Sequence, residues 1–303
     1  MSILVSNLTK TYGTQKALDS ISFKAGKGEI VGFLGPNGAG KSTTMKIITG
    51  YLHADGGNAE VCGIPVTGEE TSTKKKIGYL PEANPLYYDM YVREYLGFIG
   101  EVHKVANSKK KVEDIIKTVG LLPEANKKIG QLSRGYKQRA GLAGALIHDP
   151  AVLILDEPTS GLDPNQIIEI RELIKRLGRD KTVLFSTHIL QEVQAICDRV
   201  IIINKGRIVA DDSLANLQHT GAKEQVVNVT FQEDVSLESL LNIKEIKRGE
   251  KRATGYMLYT DDSTSLRKQL MELSLRNNWN IVSLQTEQNS LEDIFKSLTG
   301  TQP

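Results

Sequence analysis

Gly35-Pro-Asn-Gly-Ala-Gly-Lys41-Ser42 is flanked by the apolar run 29–34 and by a helical segment at 42–49. A strand, a glycine-rich loop ending in Gly-Lys-Ser, and a helix in that order are typical of a phosphate-binding P-loop. The glycines let the backbone fold tightly, so that successive N–H groups and the positive end of the helix face a phosphate. The stretch therefore predicts an α/β fold that binds a nucleoside triphosphate.

Within the loop, we expect Lys41 to reach the β and γ phosphates and the hydroxyl of Ser42 to ligate Mg²⁺. The alternative is a glycine-rich turn with a chance Lys-Ser, which the flanking strand and helix disfavour. The predicted nucleotide-binding set is Gly35, Pro36, Asn37, Gly38, Ala39, Gly40, Lys41, Ser42 and Thr43.

Length and composition limit the class of protein. The 303 residues suggest about two domains, and 40% hydrophobic content is enough for buried cores. No apolar run approaches the ~18 to 20 residues of a membrane helix, so we expect any membrane role to come through a partner. A net charge of +2 provides no global field for nucleic acid. The two cysteines, Cys62 and Cys197, form no CxxC motif, which fits a reducing cytosol.

Up to about residue 215 the pattern alternates strand-like runs with helical periods, which predicts a parallel sheet flanked by helices. Buried strands at 152–155 and 182–185 each end in polar residues, and ligands in such sheets collect beyond the carboxyl ends of strands. Residues 88–148 are helix-rich and indicate an inserted helical subdomain. A hairpin at 201–209 closes this first domain, which is predicted over residues 1–217.

Residues 218–303 show a different pattern. Alternating strand patterns on either side of a turn near 248–252, then a helix, a strand and a last helix, predict a small α+β domain of order β-α-β-β-α-β with a terminal helix. Its apolar residues are most simply explained as the hydrophobic core of this domain, and its sequence does not indicate a function.

The polar strand ends carry the candidate catalytic residues. Asp156 is placed to hold Mg²⁺, and Glu157 to act as general base on a hydrolytic water. A helix N-cap is the alternative for this Asp-Glu pair, but residues 158–163 continue as a loop, and Asp163 before Pro164 is the better cap. His188 could donate to the γ phosphate or orient the attacking water. Ser133 is either part of an anion site or an ordinary N-cap.

Residues 1 to about 215 resemble the ATP-binding cassette (ABC) family, whose motifs occur here in family order. These are Walker A at 35–42, the signature at 132–136, Walker B at 152–156, catalytic Glu157, the D-loop at 160–163 and switch His188. The resemblance implies a RecA-like P-loop NTPase core that hydrolyses ATP. It further implies that two cassettes close head to tail around two ATP molecules, so that Ser133 and Gly135 contact the nucleotide of the opposite cassette. Tyr12 matches the aromatic residue that stacks on adenine, although an exposed strand tyrosine is an alternative.

Two positions depart from the common family pattern. The signature reads LSRGY instead of LSGGQ, which keeps Ser133 and Gly135 but introduces Arg134 and Tyr136. Glu82 stands where the family has the Q-loop glutamine; it can still supply an oxygen to Mg²⁺, and its charge should disfavour closure without ligand.

Short phrases, including Leu-Glu-Asp-Ile-Phe295 near the C-terminus, resemble the ATP-binding subunit of gliding-motility type transporters, a subgroup of multidrug and polysaccharide exporters. The resemblance implies a homodimer on ATP, a separate membrane permease docked near residues 82–93, and a cytoplasmic position on the inner face of the membrane. No nucleic acid partner is expected. The alternatives are non-transport ABC ATPases that act on ribosomes or clamp DNA; the single P-loop, the missing heptads and the modest charge count against them.

Overall fold

The computed structural model describes residues 1–67, 71–220, 225–252, 254–287 and 291–299. The chain divides into two compact units, Met1–Leu214 and Ala215–Pro303. The boundary predicted between residues 217 and 218 falls inside the helix Leu214–Thr220. Within the described ranges, no helix is both long and apolar enough to span a bilayer.

The first unit contains ten strands and seven helices among its described residues. The strands are β1 (Ile3–Tyr12), β2 (Gln15–Ala25), β3 (Ile30–Leu34), β4 (Gly56–Val61), β5 (Ile64–Pro65), β6 (Ile77–Leu80), β7 (Val152–Asp156), β8 (Thr182–Thr187), β9 (Arg199–Asn204) and β10 (Arg207–Ser213). The helices are α1 (Lys41–Ile48), α2 (Thr71–Lys74), α3 (Val92–Val102), α4 (Ser108–Thr118), α5 (Arg134–Leu146), α6 (Pro164–Leu177) and α7 (Leu190–Ile196). Helix α8 (Leu214–Thr220) follows.

A six-stranded sheet carries the predicted parallel core. Its order is β10-β9-β3-β8-β7-β6, and only the β9–β10 hairpin is antiparallel. Every residue of β3, β7 and β8 is buried, which explains why these strands are continuous apolar runs without alternation. Leu34 pairs with Thr187, and Asp156 pairs with Ser186, so the three strands end at one edge. The P-loop, Glu157 and His188 follow directly from that edge.

A second sheet, of order β2-β1-β4-β5, is antiparallel and was not predicted from the sequence. It shares a hydrophobic core with the first sheet and α1, to which Ile3, Met45 and Leu184 contribute. Phe23 and Phe33 meet across this core with ring centroids 5.4 Å apart. The core fixes α1, and therefore the P-loop that begins it, against the β1–β2 hairpin.

The three helices α3, α4 and α5 lie in the stretch predicted as a helical subdomain. Each buries one face, through residues such as Leu96, Ile116 and Ala143. Ser133 caps α5 by accepting a hydrogen bond from the backbone N–H of Tyr136. Asp163 caps α6 in the same way, with Pro164 in the first turn, as the sequence indicated.

The second unit has the β-α-β-β-α-β order and terminal helix that the sequence predicted, but residues 248–252, predicted as a turn, form a strand. Its elements are β11 (Gln225–Phe231), α9 (Leu237–Leu241), β12 (Arg248–Arg252), β13 (Gly255–Thr260), α10 (Ser263–Asn277), β14 (Ile281–Glu287) and α11 (Leu291–Thr299). The strands form an antiparallel sheet of order β12-β13-β11-β14. Val227 and Leu258 from the sheet and Leu266 and Leu270 from α10 share one buried core.

Candidate functional site

The P-loop is a tight backbone cradle at the N-terminus of α1. Gly40 has φ 110°, and a Cβ at this position would lie 2.6 Å from the carbonyl oxygen of Ala17 on β2. Only glycine satisfies both the positive φ and the close approach. The first N–H groups of a helix have no acceptor within that helix, so a glycine turn at the start of α1 is suited to bind phosphate.

Lys41 is buried with its ammonium group directed at this loop. Its Nζ donates to the carbonyl oxygens of Gly35 at 2.8 Å and Pro36 at 3.3 Å. The same Nζ lies 3.5 Å from Oε1 of Glu157, and the two side chains are only 6% and 8% exposed. A buried ammonium beside a phosphate cradle is suited to hold an anion that carries several charges.

Asp156 lies at the end of β7 with its carboxylate turned toward α1. Its Oδ1 accepts hydrogen bonds from the hydroxyls of Ser42 at 3.1 Å and Ser186 at 2.5 Å. Within the described ranges, no group of three or more His, Cys, Asp or Glu side chains forms a metal site. A carboxylate and a hydroxyl beside a phosphate cradle nevertheless fit Mg²⁺, which commonly takes one or two carboxylates and completes its shell with water and phosphate oxygens.

Glu157 has a backbone conformation that is unusual for its residue type. Its φ is 49°, in the left-handed region, which costs roughly 1 to 2 kcal/mol for a residue with a Cβ. Its N–H is held by the carbonyl and hydroxyl oxygens of Ser186, at 3.2 and 3.1 Å. The strain directs the carboxylate toward Lys41 and His188, and such strain is typical of functional positions.

His188 follows β8 and completes the cluster. Its Nδ1 lies 3.0 Å from Oε2 and 3.1 Å from Oε1 of Glu157. Because a carboxylate only accepts, Nδ1 carries the proton in this pair, and Nε2 is left for another partner. The structure thus brings Lys41, Ser42, Asp156, Glu157 and His188 together at one sheet edge. This arrangement can bind a triphosphate and place a base beside it.

Glu82 lines a cleft of about 1020 Å³ that also includes Ser42 and Asp156. Its side chain is exposed, and its role as an Mg²⁺ ligand stays a prediction. Tyr79 lines the same cleft, and its buried hydroxyl has no hydrogen-bond partner among the described residues. Burial, reinforced by the charge of Asp156, raises the pKa of Tyr79, so this hydroxyl stays neutral.

Ser133 and Gly135 are not among the residues that line this cleft. Gly135 is buried against the side chain of Gln166 on α6, and the guanidinium of Arg134 lies against Gly161 of the loop 157–163. The start of α5 therefore packs on the segment that follows Glu157. The predicted contact of Ser133 and Gly135 with the nucleotide of a second copy stays a prediction.

Tyr12 ends β1 and is half exposed, with the ammonium of Lys10 5.8 Å from its ring centroid. The hairpin that follows it contacts the P-loop, because the carbonyl oxygen of Ala17 on β2 closely approaches Gly40. Stacking of Tyr12 on a base stays a prediction, and the position of the hairpin is compatible with it.

Three residues at or near the site were missed by sequence reasoning. Ser186 holds both Asp156 and the backbone of Glu157. Asn84 donates to the carbonyl oxygen of Lys137 at 3.1 Å and so joins the segment after β6 to α5. Glu192 is buried beneath the loop after Glu157. Ser186 could have been found as a hydroxyl at a strand end; the other two carry no local signal.

Comparison with known proteins identifies relatives of this arrangement. The family model described as "ABC transporter" matches residues 18–160. The linearmycin resistance ATP-binding protein of Bacillus subtilis is 33% identical over 306 residues, which cover 97% of each chain. A Nod factor export ATP-binding protein of a Rhizobium species is 34% identical over 306 residues, covering 99% of this chain and 97% of that protein.

Among solved structures, an ATP-binding cassette captured as a dimer in a post-hydrolysis state, with ADP and Pi bound, is similar with a TM-score of 0.64. It is 27% identical, and the match covers 70% of this chain and 98% of that chain. Likeness over nearly the whole of that cassette agrees with the site lying in the first unit.

Proposed function

Since the chain belongs to the ABC transporter family as an ATP-hydrolysing, ATP-binding subunit, we propose that it powers an exporter through ATP-dependent pairing of two cassettes and a separate permease. The contact between Glu157, Lys41 and His188 is the single observation that carries the catalytic part of this proposal. The contact supports the proposal that Glu157 is the base, that Lys41 binds phosphate and that His188 orients the base.

Each group has one role in the proposed reaction. The phosphates are held by residues 35–43, which include Lys41. Glu157 accepts a proton from the attacking water. His188 orients Glu157 through Nδ1 and presents Nε2 toward the γ phosphate. General-base help of about 10² to 10⁴-fold corresponds to roughly 3 to 5 kcal/mol of barrier.

Mg²⁺ is the cofactor that the oxygen donors fit. Ser42 and Asp156 would hold it, and we retain Glu82 as a third candidate because it lines the same cleft. When bound, Mg²⁺ neutralises charge on the phosphate oxygens. Ser186 fixes the orientation of Asp156, so the carboxylate is preorganised before the metal binds.

A second copy of the chain is the proposed partner for Ser133 and Gly135. Ser133 is exposed at the start of α5 and so is open to a second copy, whereas Gly135 is buried against Gln166, so its contact requires that side chain to move. The similar cassette with ADP and Pi is described as dimeric, which supports the same pairing here. Arg134, held against Gly161, would accompany Ser133 into that interface.

The permease is proposed to dock on the segment Glu82–Arg93 and on the neighbouring face of α3. Four aromatic side chains there are at least 40% exposed: Tyr87, Tyr88, Tyr91 and Phe98. Tyr87 packs its ring edge-on against Phe98 at 5.8 Å, so the surface is preformed. A clustered aromatic surface is typical of a protein-binding site. Docking there would hold the chain in the cytoplasm at the inner face of the membrane.

Export is supported by the names of two relatives, which refer to linearmycin resistance and Nod factor export. The gliding-motility subgroup has no such support and stays a prediction from short sequence phrases. The alternatives of a ribosome-acting or DNA-clamping ATPase are supported by none of the relatives described above.

The variant Glu157→Gln tests the catalytic proposal. We expect phosphate release to fall by about 10² to 10⁴-fold, while Mg·ATP binding persists and light scattering shows a dimer that needs ATP. Glu172→Gln, an exposed carboxylate on α6, is the matched control and should behave as wild type. Near-normal hydrolysis by Glu157→Gln would remove the base assignment, and failure to bind Mg·ATP would remove the site.

A further inference from the structure

Glu192 is a buried carboxylate that the proposed reaction does not use. It lies in α7 with only 1% of its surface exposed. Its Oε1 accepts a hydrogen bond from the hydroxyl of Thr159, and its Oε2 accepts one from the hydroxyl of Thr187 at 2.6 Å. Each carboxylate oxygen therefore binds a different segment of the chain.

Those two segments are the ones that carry Glu157 and His188. Thr159 comes two residues after Glu157, and Thr187 comes directly before His188. The hydroxyl of Thr187 also accepts the N–H of Ile189 at 3.0 Å, so this single hydroxyl fixes the backbone on both sides of His188. Glu192 thus joins the loop after β7 to the turn after β8.

A charge also compensates the burial of Glu192. Its Oε1 lies 3.8 Å from a terminal nitrogen of Arg171 on α6. A buried carboxylate is costly unless it is paired and hydrogen-bonded. Two hydroxyl donors and one guanidinium satisfy that condition, so this carboxylate is held in place by three separate elements.

We infer that Glu192 is a positioning residue for ATP hydrolysis, which fixes the distance between Glu157 and His188 by clamping Thr159 and Thr187. The inference rests on the proposed roles of Glu157 and His188. Without the carboxylate of Glu192, the strained backbone at Glu157 can relax. The hydroxyl of Thr187, next to His188, also loses its hydrogen-bond acceptor. Misplacement by about 1 Å of a catalytic group can cost on the order of 10²-fold in rate.

The test compares Glu192→Gln with the matched control Glu172→Gln. Glutamine keeps the shape and one acceptor oxygen but replaces the second with an NH₂ donor. We expect kcat for ATP to fall about 10- to 100-fold, while KM for ATP and ATP affinity by calorimetry change less than about twofold. KM and ATP affinity should be retained because the phosphates are bound by residues 35–43, including Lys41. The partners of Glu192 are instead Thr159, Thr187 and Arg171.

Variants of the clamp's partners provide a second measurement that does not require loss of the buried charge. Thr187→Val should lower kcat in the same way, and Thr187→Ser, which keeps the hydroxyl, should restore it. Combining Thr187→Val with Glu192→Gln should cost less than the sum of the two single losses, because both variants disrupt the same clamp.

The inference is overturned if folded Glu192→Gln keeps wild-type kcat, or if Thr187→Val and Thr187→Ser have equal kcat. A fall in kcat that only follows loss of folded protein or of ATP affinity would also overturn it. Failure of the proposed function has a different signature, since Glu157→Gln would then hydrolyse ATP normally whatever the result at Glu192.

Discussion

The imidazole Nδ1 of His188 lies 3.0 Å from Oε2 of Glu157, and only the imidazole of this pair is well exposed, at 45% against 8% for the carboxylate. The buried carboxylate therefore lies nearest to solvent on the side of His188. A water that loses its proton to Glu157 would approach from that side.

Replacing His188 with alanine removes the group that orients Glu157. We expect ATP hydrolysis to fall by about 10², because the carboxylate keeps Lys41 but loses its second partner. ATP affinity should change little, since the P-loop is untouched. Phosphate release and calorimetry on one preparation measure both quantities; a parallel loss of affinity would show that His188 acts mainly in nucleotide binding and not in orienting Glu157.

The variant Asp156→Asn tests the metal site. The amide keeps an acceptor for Ser42 and Ser186 but loses the charge that attracts Mg²⁺. We expect the Mg²⁺ concentration for half-maximal ATP binding to rise by more than about tenfold, and excess EDTA to abolish hydrolysis by wild type. Asp180→Asn, exposed and distant in sequence, is the control. An unchanged Mg²⁺ dependence in Asp156→Asn would argue against this ligand.

The variant Gly161→Ala probes the contact between the loop 157–163 and Arg134. A Cβ there would lie 2.2 Å from Cζ of Arg134, and φ is 68°. Gly63→Ala, with φ 74° and no atom of a described residue within 4 Å of the added Cβ, isolates the backbone strain, which is roughly 1 kcal/mol. We expect Gly161→Ala to lower the free energy of unfolding further, and Arg134→Ala to remove the extra cost. Equal destabilisation by the two glycine variants would show that Arg134 moves aside freely.

The lowered pKa of the buried side chain of His148 predicts that the stability of the fold depends on pH. Burial lowers its pKa to about 4, from 6.5. Its Nε2 already donates to the carbonyl oxygen of Ile77, while Nδ1 is buried with no hydrogen-bond partner in the part of the chain that the structure describes. Between these values the unfolded chain binds the proton more readily, so stability falls as pH is lowered from about 6.5 toward 4. Its share is on the order of 1 to 2 kcal/mol after allowance for partial exposure.

Urea unfolding of wild type and His148→Gln across that pH range measures this share. Glutamine can still donate to the carbonyl of Ile77 but does not titrate, so its unfolding free energy should depend less steeply on pH. Identical pH slopes for the two proteins would show that other groups account for the loss of stability.

The variant Tyr88→Ala tests the docking surface. Tyr88 is 55% exposed, and its loss should leave the hydrolysis rate of the isolated subunit unchanged while lowering permease recovery from solubilised membranes by about tenfold. Leu275→Ala, 78% exposed in the second unit, is the control for loss of a surface apolar group. Equal recovery with both variants would place the permease elsewhere.

The sequence predicted the groups that lie next to each other along the chain. The P-loop, Asp156 with Glu157, and His188 were found because each belongs to a short motif at a strand end. The antiparallel sheet was missed because irregular residues interrupt its alternation: Asn7 and Ser20 have positive φ, and the β1–β2 register shifts three times. A strand with bulges loses the period of two on which recognition depends.

The amino-acid sequence by itself determined the nucleotide chemistry, since a glycine cradle, a lysine and an acidic strand end act through local backbone geometry. Only the tertiary structure decided which side chains hold that chemistry in place. Ser186 contacts Asp156 across 30 residues, and Thr159 contacts Glu192 across 33. Such contacts form because neighbouring strands and helices pack in three dimensions, and no period or spacing within one segment encodes them.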